Sequence, residues 1–436
     1  MNQDVMAAFG TGLEAAWERS DRIFSLLAPE AICSRPIPLR QPFLFYVGHL
    51  PAFAWNQLAR GAAGRASFNA RFDELFERGI DPPDDAEPGV DDPLAWPPLE
   101  EVLAYRDRIR AELPCLLELP LVREVLPMVL EHELMHHETL LYMVHELSPS
   151  LKRQPADLRA PAAGTSPKGR VVQVPAGCAR LGARRDGRFR WDNEFGEHAV
   201  NVPAFDMDTL PVTNRDFLAF VDAGGYRDPR LWSEDGWAWR ERHGLHAPPF
   251  WSRDAAGVRV RALFEEVDFG EVADGPAYVT HCEASAFARW AGARLPTEPE
   301  FHRAAFVTPD GEHNEHPWGD APPGAERGNL GFHYWGPTPV GSFPKGQSAW
   351  GIHELVGNGW EWTASPFAPF PGFEPMPRYP GYSADFFDGR HFVMLGASWA
   401  TDPRLVRRSF RNWFQPHYPY VFAKFRCVRA ANITAS

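Results

Sequence analysis

The chain has 436 residues, 44% hydrophobic and 23% charged, with a net charge of −13; this is the profile of a soluble globular protein too long for one ordinary core. The acidic balance argues against a nucleic-acid or anionic-membrane partner, because a phosphate-binding surface needs a concentrated basic excess. Five scattered cysteines (Cys33, Cys115, Cys178, Cys282, Cys427) with no C-x-x-C pair predict reduced thiols in a cytoplasmic protein, not a disulfide framework.

The first 27 residues carry Asp4, Glu14, Glu18 and Asp21 and lack a basic region followed by an apolar one, so no signal peptide is expected. No run approaches the roughly 18 apolar residues of a transmembrane helix. Ala15, Ile23, Leu26 and Leu27 share one apolar face of a first helix. "FLFYVGHLPAFAWNQLARG" (43–61) places Phe45, His49, Leu50 and Phe53 on one stripe and ends near Gly61. "PPLEEVLAYRDRIRAELPCLLEL" (97–119) opens with prolines and acids, which suit a helix N-terminus. "PLVREVLPMVLEHELMHHETLLYMVHEL" (120–147) is the fourth segment. Four amphipathic segments predict a four-helix bundle over residues 1–150, a fold that builds metal sites from inward-facing side chains. The acidic, Pro-rich stretch 81–98 reads as an exposed loop. Residues 151–170 have little periodicity and several prolines, which predicts a linker. From Val171 to Ser436 the chain is rich in Gly, Pro and Trp, as in an irregular α+β domain. Its clearest helices are "ASAFARWAG" and "TEPEFHRAA".

His132 and His136 lie four apart and share a helix face, so both can reach one ion. With Glu133 they spell H-E-x-x-H, the zinc-peptidase motif. That chemistry needs a third ligand downstream. No glycine follows the motif at the extended spacing, and after Glu146 the next glutamate is Glu194. His49, on the apolar stripe of another predicted helix, is the better third ligand. Three neutral imidazoles suit Zn²⁺ or a non-haem Fe(II) that keeps positions open for substrate and O₂. His137 and His145 fall 100° or more from the pair's face and are expected at the surface.

These residues carry a resemblance. "GHLPAFAWNQL" with "HELMHHETLLYM" resembles the DinB-like bundle of the non-haem iron sulfoxide synthases that act on hercynine, the trimethylated betaine of histidine. The second half resembles their formylglycine-generating-enzyme-like, C-type-lectin-like domain. It does so through "VPAG" (174–177), "NEFGEHAVNVPAFDMDTLPVTNRDFLAFV" (193–221), "GARLPTEPEFHRAA" (292–305), "GIHELVGNGWEWTAS" (351–365), "GASWATDPRLVRRSFRNWF" (396–414) and "FRCVRA" (425–430). The resemblance implies Fe(II) as cofactor, O₂ as co-substrate, and joining of a chalcogen donor to the imidazole carbon of hercynine. His49, His132 and His136 match the iron ligands, and Glu133 is then left with the least to do. Tyr382, in "GYSADFF", matches the donor of a proton or hydrogen atom. Asn412 and Trp413 match the pair that holds the betaine, whose quaternary ammonium suits an indole face. Trp360 and Trp362 are expected in the core.

Three departures bear on the donor. Phe414 stands where the γ-glutamylcysteine-using enzymes have an acidic residue. Asp91, Asp92 and Pro93 stand where they carry carboxylate-gripping arginines, and Met135 replaces a polar residue. A site short of cations binds a dianionic peptide poorly. The chain is therefore closest to the selenoneine synthase branch, which couples hercynine to a selenosugar. Phe414, Gln415, Tyr418 and Tyr420 offer the aromatic and amide partners a neutral sugar wants. The alternatives are a hercynine C–S bond-forming sulfoxide synthase using a thiol donor and, more distantly, a zinc hydrolase. Formylglycine generation would need a late copper-binding cysteine pair, and only Cys427 lies near the C-terminus.

Overall fold

The computed structural model describes residues 3–77, 89–90, 96–159 and 167–431. Asp91, Asp92 and Pro93 lie outside them, as does most of the stretch 81–98. The chain divides into two compact units, Met1–Ala156 and Asp157–Ser436.

The first unit is helical: α1 (Gln3–Phe24), α2 (Phe43–Ala54), α3 (Ala70–Leu75), α4 (Leu99–Glu112) and α5 (Pro120–Glu146), with a small antiparallel pair, β1 (Ser34–Arg35) and β2 (Gly89–Val90). α1 packs on α5, and α2 on α4 and α5. Every residue of α2 is buried, so it is apolar on all sides, as a central helix must be. Pro51 lies inside α2. It removes an N–H and crowds the carbonyl one turn back, and the α-helix passes into a π-helical stretch, Trp55–Ala62. Lys152 pairs with Leu27, and Arg153 N–H donates to the Leu26 carbonyl. The start of the expected linker is thus held against the end of α1.

His137 and His145 are not at the surface: they are 0% and 7% exposed. Their angular offset from His132 is real, but α5 is flanked by both α1 and α2. Its buried surface is therefore much wider than one stripe, and nearly every residue from Val125 to His145 is covered.

The second unit is an irregular α+β assembly. Its strands are β3 (Val171–Val174), β4 (Gly177–Leu181), β5 (His198–Val202), β6 (Phe205–Asp208), β7 (Trp251–Asp254), β8 (Gly257–Arg261), β9 (Glu266–Asp268), β10 (Gly359–Pro366), β11 (Phe392–Ala397), β12 (Asn412–Phe414), β13 (Ala423–Lys424) and β14 (Val428–Ala430). They form sheets of order β12-β11-β10-β13, β14-β6-β3 and β7-β8-β9, and a β4-β5 hairpin. Five helices accompany them: α6 (Asn214–Asp222), α7 (Glu234–Arg242), α8 (Phe269–Val272), α9 (His281–Trp290) and α10 (Glu298–Phe306). α9 and α10 correspond to the two expected helices. α6 and α7 also form, each started by a side chain that satisfies a free N–H: Thr213 caps Asp216 N–H and Ser233 caps Gly236 N–H.

The core of this unit is built around Phe205, Met207, Phe301, Leu355, Val393 and Leu395, and Trp413 packs against its edge. Trp360 and Trp362 are 2% and 0% exposed, as expected of core residues. Gly396 shows why β11 needs a glycine: its φ is +85°, and a Cβ there would meet the Leu355 carbonyl oxygen at 2.3 Å. Beneath the sheet, Glu361 receives Arg426 and lies 3.5 Å from Lys424 Nζ, all three being fully buried. That ion network ties β10 to β13.

Candidate metal centre and aromatic site

In the first unit His49 from α2 and His132 and His136 from α5 come together. One ring nitrogen of each lies within 4.8 Å of the others, and all three residues are buried. His49 Nδ1 is 2.7 Å from the Phe76 carbonyl at the end of α3. A carbonyl only accepts, so Nδ1 carries the proton and Nε2 presents its lone pair. That Nε2 is buried with no hydrogen-bond partner among the described residues. The Nε2 atoms of His132 and His136 are 3.2 Å apart. Flat contacts fix the rings: Phe53 stacks on His132 at 3.6 Å and 8°, and Phe45 on His49 at 5.0 Å and 21°. Phe45, His49 and Phe53 are successive turns of α2, so one helix face supplies a ligand and both plates.

Burial holds the His49 imidazole down at about 4, with the Phe76 carbonyl pulling the other way. Burial also pushes His132 and His136 well below the ordinary range, and the neighbouring imidazoles add to it. All three rings are therefore neutral at pH 7, the form that ligates. An orphaned Nε2 facing two crowded Nε2 atoms fits a divalent metal with nitrogen preference, Fe(II) or Zn²⁺.

Glu133 has a clear role, contrary to expectation. It is 2% exposed and accepts from Ser20 Oγ of α1 at 2.5 Å; the same hydroxyl lies 2.9 Å from His137 Nε2. Burial raises the Glu133 carboxyl. It fastens α5 to α1, and its carboxylate is occupied there. Met135, between the ligands, is partly exposed.

In the second unit β12 carries Asn412, Trp413 and Phe414, paired with Met394, Val393 and Phe392 of β11. Asn412, Trp413, Phe414 and Gln415 are partly exposed, whereas Val393 and Met394 behind them are buried. Trp413 stacks on Phe367 at 4.2 Å and 6°, and the Tyr382 ring meets it edge-on at 5.4 Å and 85°. Tyr382 and Trp413, 31 positions apart in sequence, thus share one aromatic cluster. Phe414 stacks on Tyr418 at 4.8 Å, and Tyr418 meets Tyr420 at 5.0 Å. Of the four residues expected to face a sugar, Phe414, Tyr418 and Tyr420 form one run of ring contacts, but Tyr418 is itself buried, at 5% exposure. Asn412 Oδ1 accepts from Trp413 N–H at 2.9 Å. Cys282 and Cys427 are buried, and burial pushes both thiols up to about 12, so neither is a ready thiolate ligand for copper.

Comparison with known proteins follows the same division. Residues 12–140 match the DinB superfamily and residues 158–431 the sulfatase-modifying factor enzyme 1-like domain. Hercynine oxygenase of Mycolicibacterium thermoresistibile is 43% identical over 313 residues, covering 69% of this chain and 67% of that protein. The chain belongs to the hercynine oxygenase family. It is an oxidative enzyme. Hercynine oxygenase of Mycolicibacterium smegmatis is 41% identical over 312 residues, covering 69% of this chain and 70% of that one. Ergothioneine biosynthesis protein 1 of Neurospora crassa is 30% identical over 501 residues, spanning 95% of this chain and 57% of its own length. No helix among the described residues is long and apolar enough to cross a membrane.

Some residues that build the site left no signal in the sequence. The Phe76 carbonyl is a main-chain acceptor, which no residue type announces. Ser20 is one serine on a predicted helix. Trp191 and Asp192 immediately precede a quoted motif, and only their contacts reveal what they hold.

Proposed function

We propose that this hercynine oxygenase family member binds Fe(II) on His49, His132 and His136 and forms a carbon–selenium bond between hercynine and a selenosugar. The observation that carries the metal assignment is the convergence of three buried, neutral imidazoles with an orphaned His49 Nε2. Iron, when bound, supplies the one-electron chemistry that activates O₂, and three ligands leave positions for substrates. Joining an imidazole C–H to a chalcogen–H releases two protons and two electrons; O₂ takes them up as H₂O₂, or leaves one oxygen on the chalcogen and departs as one water. The protein supplies orientation. Trp413 offers an indole for the betaine's quaternary ammonium, Asn412 an amide beside it, and Tyr382 a phenol that donates a proton or hydrogen atom.

The donor assignment rests on missing charge. Phe414 and Tyr420, partly exposed on either side of the buried Tyr418 ring, make an aromatic patch with no carboxylate or guanidinium of its own. A neutral sugar suits such a patch, whereas a dianionic peptide would be left unpaired there. The second reading, C–S bond formation with a thiol donor, keeps the same iron and hercynine sites and is favoured by the names of the relatives. Metal analysis with O₂-uptake measurements in the presence of hercynine tests the iron assignment. Uptake should require iron and vanish in His49→Ala. Equal activity of a zinc-loaded sample without O₂ would refute it.

A further inference from the structure

Residues 191–194, Trp-Asp-Asn-Glu, are 0–2% exposed, although three of the four are polar. Their contacts run to both segments of the aromatic site. The Trp191 indole stacks on the Tyr382 ring at 3.9 Å and 20°. Asp192 Oδ1 accepts from Ser383 Oγ at 2.5 Å, and Oδ2 from Met376 N–H at 3.3 Å. The loop bearing Tyr382 is therefore gripped by a ring on Tyr382 itself and by a hydrogen bond on the next residue. On the other side, Glu194 takes Arg407 Nε at 2.8 Å and Ser409 Oγ at 2.7 Å, and the Asn193 carbonyl accepts from Arg411 at 3.3 Å. That segment leads straight into Asn412 and Trp413. The turn itself is closed by Glu194, which accepts from Trp191 N–H at 2.9 Å. One turn thus references the Tyr382 loop and the Trp413 strand to each other.

We propose that Trp191 and Asp192 are positioning residues for Tyr382, a clamp that holds its phenol in register with Trp413. This rests on the proposed donor role of Tyr382. A buried carboxylate is costly unless its acceptors are used, and both Asp192 oxygens are spent on the Tyr382 loop. A loop tyrosine held by nothing but its own backbone would sample several rotamers. The stack and the adjacent hydrogen bond remove that freedom before substrate arrives, which is where positioning acts on rate. The contacts of Trp191 and Asp192 fall on Tyr382 and Ser383, whereas Trp413 is set by its pairing with Val393 and its stack on Phe367. The clamp therefore governs turnover and leaves hercynine binding alone.

The test uses Trp191→Leu, which removes the stack; Ser383→Ala, which removes the hydrogen bond with little loss of packing; and Trp191→Phe, which keeps a stacking plate. Each is made in the full iron-loaded enzyme, alone and with Tyr382→Phe. Trp191→Leu and Ser383→Ala should each lower kcat by roughly tenfold to a hundredfold, with KM for hercynine within about twofold. Trp191→Phe should recover most of the rate. With Tyr382→Phe present, none of the three should lower kcat further. Fluorotyrosine placed at 382 should give one sharp fluorine resonance that shifts or broadens in Ser383→Ala. Unchanged kcat and an unchanged resonance in Ser383→Ala, which keeps the core intact, would overturn the clamp, as would equal losses with and without Tyr382. If Tyr382→Phe alone retains wild-type turnover while the resonance still shifts, it is the donor role that fails, and the rate role of the clamp fails with it.

Discussion

Replacing Gly48 with alanine sets two effects of known size against each other. Gly48 lies inside α2, immediately before His49. In a helix interior the change favours folding by about 1 kcal/mol through propensity alone. Here the new Cβ would meet three atoms of the Phe76 ring at 2.5–2.6 Å. The ring cannot swing aside: it is fully buried, with Phe45 at 6.2 Å, Phe72 at 5.5 Å and Tyr105 at 6.2 Å. Overpacking of this kind costs about 1–3 kcal/mol, so stability should fall by about 1 kcal/mol net. The larger effect is on the metal. Relief of the clash moves the Phe76 backbone, whose carbonyl holds His49 Nδ1 at 2.7 Å. Loss of such an outer partner lowers metal affinity roughly tenfold to a hundredfold. Anaerobic Fe(II) titration of metal-free protein against a competing chelator reads the affinity, with the melting temperature recorded alongside. Gly48→Ala combined with Phe76→Leu should recover much of the loss. A lowered melting temperature with affinity within twofold of wild type would refute the reasoning that the carbonyl sets the ligand.

Ser20→Ala strips Glu133 and His137 of the hydroxyl they share and should cost about 1–3 kcal/mol in urea unfolding; an unchanged midpoint would show the contact to be idle. Glu361→Gln leaves the buried Arg426 and Lys424 without the carboxylate they contact, and only the more distant Glu354 remains to offset them. The substitution should destabilise by about 3–5 kcal/mol and give mostly insoluble protein at 37 °C, so a soluble variant with a wild-type midpoint would contradict this. Burial holds His281 at about 4 and His302 at about 3, against an ordinary 6.5. Their folded values are depressed, so the unfolded chain binds these protons first. The stability they contribute is full above pH 6.5 and is lost as pH falls through 4 and 3, with a slope up to about 2.7 kcal/mol per pH unit. The fall in melting temperature between pH 6.5 and 4 should be smaller in His302→Gln than in the wild type, and an equal fall in both would contradict it.

Much of the site was legible because helical spacing has few solutions. Two imidazoles four apart share a face, and His49 repeats with Phe45 and Phe53 on the next helix; these are local facts of sequence. The aromatic cluster was legible only through resemblance, since nothing in "GYSADFF" indicates that Tyr382 meets Trp413. Depth was misjudged at His137 and His145. Angular position on a helix decides burial when one neighbour packs against it, and α5 has two. The role of Glu133 was missed for a different reason: its partner, Ser20, is 113 residues away. Long-range polar pairs of this kind, like Asp192 with Ser383, have no periodic signature.

The central claim is the bond that the enzyme makes. Iron-loaded protein given hercynine and O₂ with equal amounts of a selenosugar, γ-glutamylcysteine and cysteine, followed by mass spectrometry of the products, tests it directly. The account predicts a selenium-containing hercynine adduct as the main product, absent in His49→Ala. Sulfur adducts from γ-glutamylcysteine or cysteine, with the selenosugar untouched, would contradict it.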